Sequence, residues 1–210
     1  MASLRNQLGK LRRTNFARQI PEGQEVWLAG YSDASYSRQG GRHSGGWGLW
    51  VRDDHHRILR MGPCPDWIQN VQHAELCGVV AALHTAMSHL NRTAANIMVV
   101  KTDNQGVAKW FGWRGRRGEQ YVFPDDDRVV DLLLQVYEQA AMHEIRMIVT
   151  WRKGHQKNDS TEGYLNHRVD RLAHEGRTKR TSRMMTYDLR KPRQDGKSEY
   201  VTVNRPIAIF

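Results

Sequence analysis

Cysteine is nearly absent from this chain. Of 210 residues only Cys64 and Cys77 are cysteines, and they stand in no spacing that makes a zinc-ligand set or a disulfide scaffold. Long apolar runs are missing too. None approaches the roughly 20 residues of a membrane span, and none resembles the core of a signal peptide. The expectation is a soluble, intracellular protein of cytoplasm or nucleus with no membrane partner. Acid is the third shortage: 22 Asp and Glu face 32 Lys and Arg, a formal charge of +10. That balance suits a polyanionic partner.

The excess of base is unevenly placed. Residues 1–24 carry five basic residues against Glu22, and residues 177–210 carry nine against Asp188, Asp195 and Glu199. Residues 25–176 are left with 18 of each sign. The chain therefore reads as one neutral domain, 25–176, between a basic N-terminal arm, 1–24, and a basic C-terminal extension, 177–210. Such a domain is close to the common single-domain size of about 100–150 residues. Basic arms hold nucleic acid without reading its sequence; the plainer alternative is a pair of solvated tails. Residues 1–21 contain Arg5, Lys10, Arg12, Arg13 and Arg18, no acid, and Leu4, Leu8 and Leu11 at helical spacing. Mitochondrial targeting peptides share that pattern.

Within the domain, residues 26–31, 46–51 (GWGLWV) and 57–61 form apolar runs separated by turn residues, which predicts three consecutive strands in a meander. From His73 the period changes: Leu76, Val80, Leu83, Met87 and Leu90 recur every three or four residues, the mark of an amphipathic helix. Residues 97–101 (IMVVK) predict a strand buried on both faces. A short helix is expected over 105–111, and a further one after Asp125, Asp126 and Asp127, whose charges suit a helix N-terminus. A strand over 145–151, a polar loop over 153–163 and a final helix over 164–175 complete an α/β pattern. Residues 112–117 (GWRGRR) are too basic and glycine-rich for core, and are the best candidate in the domain for direct contact with nucleic acid.

Four acids punctuate this pattern: Asp33 in YSDAS, Glu75 in HAEL, Asp103 in KTDNQ and Asp170 in NHRVDRLA. Each alone is more often a cap or turn residue. Brought to one sheet edge they would repel one another and raise each other's pKa unless divalent cations sat among them. Acids holding hard cations, with no covalent side chain required, suit the in-line displacement of a phosphodiester.

The order of these pieces resembles type 1 ribonuclease H. The resemblance covers about residues 25–176 and runs through Asp33-Ala-Ser, Gly45-Gly-Trp-Gly48, His73-Ala-Glu75-Leu, Thr102-Asp103-Asn-Gln105, Lys153-Gly-His155 and Asn166-His-Arg-Val-Asp170-Arg-Leu-Ala173. It implies an RNase H-like fold: a five-stranded mixed sheet with strand 2 antiparallel, and helices on both faces. It also implies two Mg²⁺ ions, or Mn²⁺ in their place, held by Asp33, Glu75, Asp103 and Asp170. His155 would assist proton movement and product departure, and Asn166 would lie close to the metals.

For the substrate, the resemblance implies an RNA/DNA hybrid, cut in its RNA strand to leave 5′-phosphate and 3′-hydroxyl ends. Recognition of 2′-hydroxyls would fall to Gln105, with Ser35 and Gln72 as further candidates. Trp113, Arg114, Arg116 and Arg117 match a basic, Trp-bearing handle that stacks on sugars or bases while neutralising phosphates. The protein is expected to act as a monomer. Two other readings stay open: the same fold cutting DNA, and a non-catalytic nucleic-acid-binding module.

Overall fold

A computed structural model of the chain describes residues 2–20, 22–23, 27–89, 95–112, 123–154, 160–189 and 201–203. Its centre is one sheet. β1 (Trp27–Gln39), β2 (Arg42–Arg52) and β3 (His56–Pro63) form the predicted antiparallel meander, and β4 (Ile97–Thr102) and β5 (Arg146–Trp151) run parallel to β1. Gly40 and Gly41, with φ of 54° and 78°, make the two-residue turn between β1 and β2, where side chains would be strained.

The sheet does not stop at five strands. β6 (Arg183–Asp188) pairs antiparallel with β3, and β7 (Val201–Val203) pairs with β6, giving the order β5-β4-β1-β2-β3-β6-β7. The five-strand expectation is thus corrected, and β6 as well as β2 runs against β1. The reason is edge protection: β6 satisfies backbone groups that β3 would otherwise leave open, and it buries Met185 and Tyr187 beside Leu59 and Met61.

Alternation along the strands divides the core into two faces. Leu49 and Val51 of β2 point to one side, with α2 (Val71–His89), α3 (Gln105–Trp110) and α4 (Asp127–Met142). Trp50 points to the other, with Leu165, Val169 and Leu172 of α5 (Thr161–Lys179). Helices cover both faces, as expected. α4 starts where the acidic run predicted, with Asp126 Oδ1 accepting from the Arg128 N–H at 2.9 Å. α5 starts before the expected residue 164 because Ser160 Oγ accepts from the Gly163 N–H at 3.0 Å.

The segments expected as basic arms contribute to this body. α1 (Ala2–Ala17) packs on α4, with Leu8 fully buried and Gln7 donating to Glu138 at 2.8 Å. Asn15 works as an extra edge residue: its amide accepts from the Met147 N–H at 2.8 Å and donates to the Met147 carbonyl at 2.9 Å, on the outer side of β5.

α5 lies close to the sheet, because β2 offers it glycines at Gly46 and Gly48. A Cβ on Gly48 would sit 2.2 Å from the Val169 carbonyl oxygen, and one on Gly46 would sit 2.1 Å from the Arg177 nitrogen. Both obstacles are backbone and cannot swing aside. Gly48→Ala should therefore cost about 1–3 kcal/mol, lowering Tm by roughly 2–12 °C in a thermal melt. An unchanged Tm would show that α5 does not rest on β2.

Candidate active site

Asp33 was expected at a strand end, and the structure corrects this: it lies inside β1. Pairing of β1 with β4 stops at Tyr31 and Lys101, while pairing with β2 continues to Gln39. Asp33 stands just beyond the first ladder and within the second, opposite Gly48. A hairpin that outruns its parallel neighbour thus fixes the carboxylate rigidly, and the Ala34 N–H donates to Asp33 Oδ1 at 2.7 Å.

Glu75 comes from the first turns of α2. That helix approaches β1 closely at Gly78, where a Cβ would lie 3.1 Å from the Asp33 carbonyl oxygen. One turn earlier on the helix, Glu75 is set beside Asp33. Asp103 occupies the bend between β4 and α3, held from both directions. Its carbonyl accepts from Trp151 Nε1 at 2.9 Å, and the next residue, Asn104, caps α3 by accepting from the Val107 N–H at 3.0 Å.

Oxygens of Asp33, Glu75 and Asp103 all lie within 4.8 Å of one another. Burial, and then the charge of Asp103, push the Asp33 carboxyl up to about 7, against the pull of the Ala34 N–H; Asp170 adds to the rise. Glu75 is driven well above the usual carboxylate range by burial first and by the charges of Asp33 and Asp103 next. Glu75 Oε2 is buried with no hydrogen-bond partner. A buried carboxylate with one unsatisfied oxygen, grouped with two more carboxylates, fits a divalent cation, and an all-oxygen donor set fits the hard ions Mg²⁺ and Mn²⁺. Asp170, half-buried on α5, is outside this tight trio, yet its charge acts on Asp33.

The remaining expected residues fall in three groups. Gln72 of α2 packs against the start of α3, where a Cβ on Gly106 would be 2.3 Å from its Nε2, and Gln105, the residue before Gly106, is exposed. Asn166 lines a narrow cleft with Asp103, Lys101, Arg152 and Lys153. Ser35 is already engaged, its Oγ accepting from Arg177 Nε at 2.9 Å. His155, Trp113, Arg114, Arg116 and Arg117 lie outside the described residues. The segment leading to His155 does start at the site, since a Cβ on Gly154 would be 2.3 Å from Asp103 Oδ2. Trp110 and Phe111, ahead of the handle, are core residues.

Sequence reasoning missed one polar cluster and one cation. Lys101 donates to Glu162 at 2.5 Å and to the Tyr31 hydroxyl at 3.0 Å, tying β4, α5 and β1 together. The spacing held the signal: Tyr31 and Lys101 each stand two residues before a site Asp, and Glu162, Asn166 and Asp170 recur every four residues on α5. The cation is Arg177.

The RNase H family profile matches residues 26–178. The chain belongs to the RNase H family. Among curated protein sequences none matches it significantly. Solved structures share the fold of this RNase H chain. One is LC11-RNase H1, solved in complex with an RNA/DNA hybrid: TM-score 0.51, 13% identity, covering 72% of this chain and 97% of that one. Another is the PFV RNase H domain in solution, with TM-score 0.50, 18% identity, and coverage of 73% and 95%.

The raised carboxyls give this RNase H site a pH signature. A carboxyl whose pKa rises on folding stabilises the fold in its protonated form. For Asp33 that stabilisation is complete below about pH 4 and is lost as pH rises through about 7. With metal removed by chelation, Asp33→Asn should melt above wild type by a margin that widens between pH 5 and pH 8. A margin independent of pH would contradict the buried, mutually repelling arrangement.

Proposed function

We propose that the protein is an endoribonuclease that hydrolyses the RNA strand of RNA/DNA hybrids with two divalent metal ions, leaving 5′-phosphate and 3′-hydroxyl ends. The observation that carries this reading is the trio of carboxylates with its unsatisfied Glu75 oxygen. Membership of the RNase H family supports it, as does a fold shared with a hybrid-bound relative.

Asp33, Glu75 and Asp103 would hold the ions, with Asp170 completing the set from α5. Bound Mg²⁺ supplies an activated water and neutralises charge on the leaving oxygen. The chain's own residues do the rest. β1, α2 and the bend between β4 and α3 keep the three acids in place before substrate arrives, so little reorganisation is needed at the moment of reaction. Gln105 on α3, and Gln72 reaching Gly106 from α2, would offer donors and acceptors to a 2′-hydroxyl, which separates RNA from DNA. Asn166 faces the same cleft as Asp103. To His155 we assign proton transfer, a task for which an imidazole side chain is suited. The basic handle at 113–117 would bear on the substrate backbone.

Both cysteines are buried free thiols, which suits a reducing intracellular compartment. No helix among the described residues is long and apolar enough to cross a membrane. Because Leu8 and Asn15 are buried against the domain, we read α1 as a structural element of it.

Incubation of the purified protein with Mg²⁺ and end-labelled hybrid, duplex DNA and duplex RNA tests the proposal. Hybrid should be cut in its RNA strand, and Asp33→Asn should lower the rate at least about 100-fold. Preferential cutting of duplex DNA, or equal rates for variant and wild type, would overturn it.

A further inference from the structure

We propose that Arg177 is a substrate-binding residue that holds a backbone phosphate of the nucleic acid, with Ser35 as its tether; the proposal rests on the nuclease reading above. It starts from the register of the central hairpin. Asp33 lies opposite Gly48, and Ser35 lies opposite Gly46. Each glycine opens a seat for α5. The first seat receives the backbone of Val169 and Ala173, which flank Asp170; the second receives the backbone of Ala173 and Arg177. The same device that brings Asp170 toward Asp33 therefore brings Arg177 to Ser35, one strand step further on.

What Arg177 finds there is a hydroxyl, not an acid. Its Nε donates to Ser35 Oγ at 2.9 Å, and its Nη2 lies 3.2 Å from His174 Nδ1. Lys179 and Arg180, at the end of the same helix, are ion-paired with Glu175 and Asp66. Among the described residues no carboxylate pairs with Arg177. A neutral tether fixes the side chain without cancelling its charge. The half-buried guanidinium keeps its remaining donors for a ligand, in the planar fork that matches phosphate. Ser35 stands about 6.6 Å along β1 from Asp33, and phosphates of one strand advance about 3.4 Å per nucleotide along the helix axis. A phosphate held by Arg177 is thus one or two nucleotides from the carboxylates. Ser35 itself, expected to probe a 2′-hydroxyl, has given its acceptor to Arg177 and acts through it.

Hybrid binding measured in EDTA over a range of salt tests this without any turnover, so failure of the cleavage reading leaves the test intact. Arg177→Gln should weaken binding about threefold to tenfold at 0.1 M salt and lower the slope of log K against log salt by about 0.7–0.9. Arg177→Lys should keep the wild-type slope. An unchanged slope in Arg177→Gln overturns the proposal, as does an equal loss in both variants, which would mark a packing role. Ser35→Ala covers the case in which Arg177→Gln does not fold. It removes the tether and keeps the cation, so affinity should fall at constant slope, and unchanged affinity would overturn the proposal.

Discussion

Like-charge repulsion in a buried place is the interaction on which the rest of this structure turns. Three carboxylates with oxygens within 4.8 Å of one another oppose folding when all are ionised, because burial removes the water that would screen them. The fold holds them together from independent directions: a hairpin strand for Asp33, a helix start for Glu75 and a strand-to-helix bend for Asp103. Each is fixed by backbone hydrogen bonds that do not depend on the others. The repulsion is then stored in the folded protein, and bound cations would relieve it, which would couple the site to the stability of the domain.

α5 is the second half of that arrangement. The glycines of β2 let its backbone rest on the strand, and its residues then meet three successive outward positions of β1: Tyr31 meets Glu162, Asp33 is influenced by Asp170, and Ser35 holds Arg177. Charge along this seam differs on the two sides of the acids. Lys101 on one side is paired with Glu162, and Arg177 on the other is held by a neutral hydroxyl. A domain with equal numbers of acidic and basic residues can therefore present a negative centre and, at Arg177, a positive flank.

Local signals made much of this legible in the sequence. Leu76, Val80, Leu83 and Met87 announce α2, and all four are buried. Asp126 announces the start of α4, and residues 97–101 announce β4. Family resemblance singled out the four acids. What stayed hidden depends on partners far along the chain. β1 runs on to Gln39 through polar residues because β2 pairs with it, not because the segment is apolar. β6 is buried in a stretch that reads as a basic tail, and only the open edge of β3 makes it a strand. Arg177 and Ser35 are 142 residues apart, and no local pattern joins them.

The central claim is that the buried trio is a cation site, and calorimetric titration of the metal-free protein with Mg²⁺ at neutral pH measures it most directly. The account predicts a binding isotherm for wild type that is lost or greatly weakened in Glu75→Gln, which removes one carboxylate of the trio. Indistinguishable isotherms for wild type and Glu75→Gln would contradict it.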